Sequence, residues 1–311
     1  MLGIIVVNYK TIDRTSQYVR EELAKIKTPH TIVIVNNACT DEHNTRLARA
    51  CGAVLVVDGD KIDNNAHIFI LGAKDNLGYA KGNNLGVEFL TKHFDIEYLL
   101  FSNNDIIYKD DDVVERLISK LAQINDAGII GPSVLDVKGN KMNPFVKPSI
   151  WRTHIIPNVF LPFLILMKTD LLSAAHLDRE AQDGYCYRLS GSFMLTKADI
   201  FMKSGMFDPA TFLYCEEPIL SERYLRLGFK AFYMGEVSVI HEHGYTSKQT
   251  HQPPQTQKLN FDSQMYYYQK YRSVSRVVIG LAKLSFSANN CIWYPIINLL
   301  IKLRAMIRGA A

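Results

Sequence analysis

The sequence predicts an α/β protein built on a largely parallel sheet, and three observations carry that prediction. Short β-branched runs alternate with helical patterns through the first part of the chain, the signature of βαβ units. Polar, Asn-rich dipeptides follow the apolar runs, at the strand ends where open α/β sheets bind ligands. With 311 residues and 48% hydrophobic content, the chain can bury a substantial core.

In order, strands are expected at Gly3–Asn8, Thr31–Val35, Ala53–Val57, Ile68–Leu71 and Tyr98–Ser102, each a short β-branched or aromatic run. Helices are expected over Ser16–Ile26, Tyr79–His93 and Asp111–Ile124, the second with one apolar face and a glycine at its start. The residues that follow the strands are Asn8-Tyr9, Asn36-Asn37, Asp75-Asn76 and Asn103-Asn104-Asp105. The middle, Pro132–Tyr185, is less regular. Its apolar stretch Ile155–Met167 is shorter than the ~20 residues of a spanning helix and is broken by Pro157 and Pro162. A buried connector is expected there, with an apolar loop bordering a lipid-linked acceptor as the sharper alternative. A helix at Lys197–Ser204, a second one entered near Pro218, and two short strands at Ala231–Met234 and Val237–Ile240 complete the core.

The net charge of +4 is unevenly placed. From Ser263 to Ala311 there are seven basic residues and no acidic one, which leaves 28 basic against 31 acidic residues in the first 262 positions. Two regions are therefore expected, a catalytic-type α/β domain over 1–262 and a basic amphipathic helical tail over 263–311. Pro295 can open a helix in which Ile296, Ile297, Leu299, Leu300 and Leu303 are apolar while Lys302, Arg304 and Arg308 are basic; Trp293 and Tyr294 suit a membrane interface. Attachment to an anionic membrane surface is one reading, and packing on its own domain or in a homodimer is the other. No nucleic-acid-binding motif accompanies the basic tail, so nucleic acid is not an expected partner. The five cysteines show no C-x-x-C spacing and read as reduced thiols of a cytoplasmic protein. The run Leu2–Val7 has no basic region before it and no small-residue cleavage site after it, which favours a buried strand over an export signal.

Four clusters carry chemistry. Glu216-Glu217 precede Pro218, a residue suited to the first helical position, so the pair sits at a helix entrance where the macrodipole favours ionised carboxylates. That arrangement reads as a fixed base or as an acidic helix cap. Asn103-Asn104-Asp105 can hold Mg²⁺ or Mn²⁺ against a diphosphate, or form a simple Asx turn. Gly78, Gly82 and Gly86 recur every four residues where a helix begins, allowing close approach of a ligand or of a packing neighbour. His241-Glu242-His243 follows the last strand, and either histidine can complete a metal site or be a surface residue. No G-x-G-x-x-G fingerprint and no G-x-x-x-x-G-K-[ST] loop occurs, which disfavours dinucleotide and P-loop readings.

Seven motifs, Ile4-Ile-Val-Val-Asn-Tyr9, Val33-Ile-Val-Asn-Asn-Ala-Cys-Thr-Asp41, Asp75–Gly86, Phe101-Ser-Asn-Asn-Asp105, Gly191-Ser-Phe-Met-Leu-Thr with Gly205-Met-Phe-Asp208, Tyr214-Cys-Glu-Glu217 and Val239-Ile-His241, follow one another in a set order. In that order they resemble family-2 glycosyltransferases, most of all the bacterial rhamnosyltransferase-like group of cell-surface polysaccharide synthesis. The resemblance covers about positions 1–247. It implies a GT-A fold with a mixed, mostly parallel sheet, an inverting reaction, a nucleotide-diphosphosugar donor such as dTDP-rhamnose or a UDP-sugar, and a glycan or lipid-linked acceptor at the inner face of the plasma membrane. It further implies that Asn8, Asn37, Asp41, Asn76, Gly82 and Asn104 lie at the donor, that Asp105 and His241 hold Mn²⁺ or Mg²⁺, and that Glu217 is the base. Glu216 and Arg223 fall to acceptor binding or loop ordering.

The chain departs from the family pattern at three places. Asn103 replaces the first acid of the metal motif, Asn36 stands where an acid is common, and Glu217-Pro218-Ile219 lengthens the base and loses a second acid. Two rival readings follow: a non-catalytic GT-A subunit of a glycan-assembly complex, and a sugar nucleotidyltransferase. The second lacks support because Asn8-Tyr9-Lys10-Thr11 is not a Gly-rich basic loop.

Overall fold

The computed structural model describes residues 1–57, 62–63, 65–159, 177–178, 180–242, 253–293 and 295–296. Ten strands are present among them: β1 (Leu2–Asn8), β2 (His30–Asn36), β3 (Val54–Val56), β4 (Ile68–Gly72), β5 (Tyr98–Ser102), β6 (Ile106–Tyr108), β7 (Ala127–Leu135), β8 (Gly184–Cys186), β9 (Phe193–Lys197) and β10 (Lys230–His241). The helices are α1 (Ile12–Glu21), α2 (Asp41–Cys51), α3 (Gly78–His93), α4 (Val113–Gln123), α5 (Ala198–Lys203), α6 (Glu216–Arg226), α7 (Pro253–Tyr271) and α8 (Arg276–Ala288). One sheet runs β3-β4-β2-β1-β5-β9-β7-β10-β6, with β8 also paired to β10. β1 is parallel to both β2 and β5, whereas β9 runs antiparallel between β5 and β7. The fold is thus α/β with a mixed, mostly parallel sheet.

Side chains alternate across β1, so its residues feed two cores. Leu2, Ile4 and Val6 join residues of α1, α2 and α4, whereas Ile5 joins Val87 and Leu90 of α3. With helices on both faces, β1 reads as a continuous apolar run. The close approach of α3 to β1 depends on glycine. A Cβ at Gly86 would lie 2.7 Å from Ile5 Cγ2, and one at Gly82 would meet Val7 Cγ2 at 3.2 Å. The chain leaves β1 for one side of the sheet and crosses back at β5, which makes the carboxyl ends of β1, β2 and β5 the topological switch point.

Several elements differ from expectation. α1 starts at Ile12 rather than Ser16, because Lys10 turns the chain sharply in the left-handed region (φ 59°) and Thr11 becomes the N-terminal boundary. The last residues expected in it form a separate 3₁₀ turn, Leu23–Lys25. α2, not anticipated, is capped by the Thr40 hydroxyl, which accepts the His43 N–H, and is stopped by Gly52 at φ 62°. β7 was masked by Pro132, a residue unusual in a central strand. Its register against β10 shifts between Met234 and Ser238, next to the Pro132–Met234 pair, so the missing N–H falls beside an irregularity. The same shift joins the two expected short strands into the single β10.

The chain divides into two compact units, Met1–Phe145 with Asp178–Gln264, and Val146–Leu177 with Met265–Ala311. In the second, the Arg272 guanidinium donates to the Pro148 carbonyl at 3.4 Å, and Asn289 donates to Asn158 Oδ1 at 3.1 Å. No helix among the described residues is long and apolar enough to cross a membrane. Most of the apolar stretch Ile155–Met167 and of the helix expected after Pro295 lies outside the described residues.

Candidate active site

The switch point is held by a buried amide and hydroxyl network. Asn8 Nδ2 donates to Asn36 Oδ1 at 2.6 Å, and Asn8 Oδ1 accepts the hydroxyls of Thr11 and Thr15 at 2.7 and 2.8 Å. Asn104 Nδ2 donates to the same two hydroxyls at 2.9 and 2.7 Å. Asn36 in turn donates to Asn44 Oδ1 at 2.7 Å. These contacts tie the ends of β1, β2 and β5 to α1 and α2. Asn8 has no exposed surface and Asn104 only 7%. Both were expected at the donor; in the structure the Asn8 carboxamide is engaged by Asn36, Thr11 and Thr15, and Asn104 Nδ2 by Thr11 and Thr15. Gly82, also expected there, packs close to both neighbours: a Cβ at this position would lie 3.2 Å from Val7 Cγ2 and 3.4 Å from Asn37 Nδ2.

The remaining donor candidates keep polar atoms for other use. Asn37 donates to the Gly78 carbonyl at 3.2 Å, while its buried Oδ1 has no hydrogen-bond partner. Asn76 Oδ1 accepts the Gly78 N–H at 3.0 Å in an Asx turn that opens α3. Asp41 is exposed in the first turn of α2.

Asn103, Asp105 and His241 come together because β10 pairs antiparallel with β6, placing His241 opposite Ile106. The Glu242 N–H donates to the Asp105 carbonyl at 2.9 Å and locks the register. Asp105 Oδ1 lies 3.1 Å from His241 Nε2, yet this buried oxygen accepts no hydrogen bond. Asn103 Nδ2 is 3.4 Å from the same histidine nitrogen. An orphaned carboxylate oxygen beside an imidazole nitrogen fits a pair of neighbouring ligands on a hard divalent cation, whose adjacent donors are separated by about 3 Å in an octahedral shell. Among the described residues no third His, Cys, Asp or Glu joins them. His243, the alternative partner, lies outside the described residues. A cavity of about 470 Å³ is lined by Glu242, Met142 and the Asp136–Asn140 turn, and not by Asn103, Asp105 or His241.

The acid pair is reached through two consecutive left-handed residues, Tyr214 (φ 71°) and Cys215 (φ 70°). Neither is glycine, so each carries backbone strain of order 1 kcal/mol. α6 then begins at Glu216, which places Pro218 third rather than first in the helix and both glutamates in the first turn. The two acids have different surroundings. Glu216 is 3% exposed, its Oε1 has no hydrogen-bond partner, and burial together with the charge of Glu217 pushes its carboxyl up to about 8. Desolvation thus outweighs the helix dipole, contrary to the expectation that both acids are held ionised. Glu217 is half-buried, and its Oε1 accepts the Gly191 N–H at 3.0 Å. Arg223 Nη1 donates to the carbonyls of Gly205 and Met206 at 2.8 and 2.6 Å, and Nη2 lies 3.5 Å from Asp208 Oδ2. These contacts tie the 205–208 segment to α6.

Two residues near Glu217 lie inside the motifs noted above, yet nothing in the sequence marks either as a partner of the other. Gly191 falls in a short Ser-Gly-Ser link with no periodicity, and Tyr79 looks like any aromatic in the first turn of a helix. Their carbonyl and hydroxyl meet at 2.6 Å only because β9 lies next to β5 and α3 packs on β1.

Solved structures place the architecture. The mannosyltransferase PcManGT from Pyrobaculum calidifontis, in complex with GDP-Man and Mn²⁺, superposes with a TM-score of 0.51 at 12% identity, over 98% of this chain and 79% of that one. GalNAc-T7 with UDP, GalNAc and Mn²⁺ gives a TM-score of 0.54 at 12% identity, over 95% of this chain and 57% of that one. The chain has the GT-A fold. Sequence similarity agrees with a family-2-like GT-A protein. Rhamnosyltransferase WbbL of Escherichia coli (strain K12) is 23% identical over 167 residues, 53% of this chain and 60% of WbbL. The low-salt glycan biosynthesis hexosyltransferase Agl10 of Haloferax volcanii is 23% identical over 218 residues, 70% of this chain and 59% of Agl10. The matches thus span about three-fifths of the length of these relatives. No protein-family model matches the chain.

Proposed function

We propose that this GT-A protein is an inverting glycosyltransferase that moves a sugar from a nucleotide-diphosphosugar to a hydroxyl of a glycan or lipid-linked acceptor, in the synthesis of a surface polysaccharide. The observation that carries the reading is Glu217. It is the one acid of the pair left partly open, and its carboxylate is pinned by the Gly191 N–H, in the link that leads into β9, the strand next to β5. A carboxylate so held can accept the proton of an acceptor hydroxyl as that oxygen bonds to the anomeric carbon. The bond from that carbon to the diphosphate breaks on the opposite face, its electron pair leaving with the diphosphate oxygen. A divalent cation held by Asp105 and His241 would offset the charge that gathers on the leaving diphosphate. In this reading Asn37, Asp41 and Asn76 meet the nucleotide-sugar, while Asn8 and Asn104 keep the strand ends in position.

The test is nucleoside diphosphate release from dTDP-rhamnose, UDP-N-acetylglucosamine and GDP-mannose with Mn²⁺. One donor should turn over, and Glu217→Gln should lower that rate by about 10²–10⁴ while donor-induced thermal stabilisation persists. Near-normal turnover in Glu217→Gln removes the proposed base. Binding without release in the unaltered protein favours the non-catalytic subunit instead, a reading motivated by Asn103 and Ile219.

Residues 263–311 are assigned to an anionic membrane surface at the cytoplasmic face. Val277, Leu281 and Leu284 are exposed on one side of α8, with Arg276 and Lys283 exposed on the same helix. The seven basic residues of this region at ~1 kcal/mol each are ample for peripheral attachment. Co-sedimentation with phosphatidylserine vesicles should fall sharply in Val277→Asp/Leu284→Asp. Unchanged sedimentation, or a monomer–dimer shift, would move the assignment to a homodimer.

A further inference from the structure

Glu217 is held from behind by a short relay that begins on another helix. The Tyr79 hydroxyl, in the first turn of α3, donates to the Gly191 carbonyl at 2.6 Å. The Gly191 N–H donates to Glu217 Oε1 at 3.0 Å. One residue further on, the Ser192 carbonyl accepts the Asn103 N–H at 2.9 Å. Residues 191 and 192 therefore connect the acid pair on one side and the cation turn on the other.

Glycine is required at 191 by proximity and not by backbone conformation. A Cβ there would lie 2.6 Å from Glu217 Oε1 and 3.1 Å from its Cγ and Cδ, so any side chain would push the carboxylate away. Without a side chain, the buried residue 191 is oriented through its backbone, whose carbonyl is held by the Tyr79 hydroxyl. Tyr79 is itself well fixed. Its N–H donates to the Phe212 carbonyl at 3.1 Å, and its ring packs edge-on against Phe207 with centroids 5.5 Å apart. Burial, with the charges of Glu217 and Glu216, raises the Tyr79 phenol well above its ordinary value, so it remains a donor.

From this geometry we propose that Tyr79 is a positioning residue which, through Gly191, sets the orientation of the Glu217 carboxylate toward the acceptor hydroxyl. The proposal rests on the reading of Glu217 as the base. It assigns Tyr79 no contact with substrate. Misplacement of a reacting group by about 1 Å can lower a rate by about 10²-fold. Removing only the hydroxyl should act on turnover and not on donor binding.

The experiment compares Tyr79→Phe and Gly191→Ala with the unaltered full chain, using whichever of the three nucleotide-sugars is turned over. Tyr79→Phe keeps the ring and its packing on Phe207. It should lower kcat by about 10-fold, with donor KM and melting temperature near those of the parent. Gly191→Ala should lower kcat further. In ¹⁵N-glycine-labelled protein the Gly191 amide should shift on Tyr79→Phe and on Glu217→Gln alike, a readout independent of turnover. Parental kcat with an unmoved Gly191 amide in Tyr79→Phe overturns the proposal. So does a fall in melting temperature that accounts for the lost rate, since that marks a merely structural hydroxyl. Full activity of Glu217→Gln, by contrast, defeats the functional reading and not the relay.

Discussion

Two polar regions share the carboxyl edge of the sheet and differ in how their hydrogen bonds close. At the ends of β1 and β2, the amides of Asn8, Asn36 and Asn104 and the hydroxyls of Thr11 and Thr15 bond to one another inside the protein. At the acid segment and the turn after β5, Glu216 Oε1 and Asp105 Oδ1 are buried without a hydrogen bond, and Tyr214 and Cys215 hold left-handed conformations. A closed network specifies a shape, because every group has its partner and nothing is gained by moving. An open one stores unmet demand that a ligand can meet, and strain of this kind collects at functional sites. The contrast separates polar residues bonded to one another from polar residues with unmatched oxygens.

Breaking the closed side should have the larger effect on stability. Asn8→Ala strips partners from Asn36, Thr11 and Thr15 at once and should destabilise the fold by about 3 kcal/mol. A lower urea midpoint with unchanged donor KM in the folded protein is the expected pattern. Intact stability with a several-fold higher KM would place Asn8 at the donor and dissolve the contrast.

The open side predicts a smaller, pH-dependent effect. Because the folded-state value of Glu216 is raised, from about 4.5 to about 8, its contribution is fully present below 4.5 and is lost as pH rises through 8. Stability of the parent should therefore decline across that window by an amount on the order of 1 to 3 kcal/mol. Glu216→Gln, which cannot ionise, should flatten the decline and be the more stable protein at pH 8. Equal slopes in thermal unfolding between pH 5 and 8 would show that Glu216 is not buried as a neutral acid.

The order of elements was readable because period-two and helical apolar patterns are local properties of the chain. β5 falls at its expected residues, and β1, β2, β4, α3 and α4 fall within two residues of theirs. The failures have physical causes. Pro132 hid a central strand, since its missing N–H is tolerated only beside the irregularity that β10 provides. α2 escaped because its polar surface leaves few apolar positions to count, and its boundaries lie in Thr40 and Gly52. The site was legible to the level of motif. Asp105 and His241, 136 positions apart in the numbering, meet as expected. The inward bonds of Asn8 and Asn104 were not legible, because a polar residue after a strand looks the same in sequence whether it faces outward or inward.

By itself the sequence determined the α/β class, the strand ends that matter and the acids that can carry chemistry, because apolar period and residue type are written along the chain. Only the tertiary structure decided which of those groups are spent on one another and which stay open. Glu216 and Glu217 are adjacent and identical in chemistry, yet one is sealed in the core with an unmatched oxygen and the other is pinned by Gly191. That difference arises from a tertiary contact with Gly191, far off in sequence, and from the desolvation that burial imposes on Glu216.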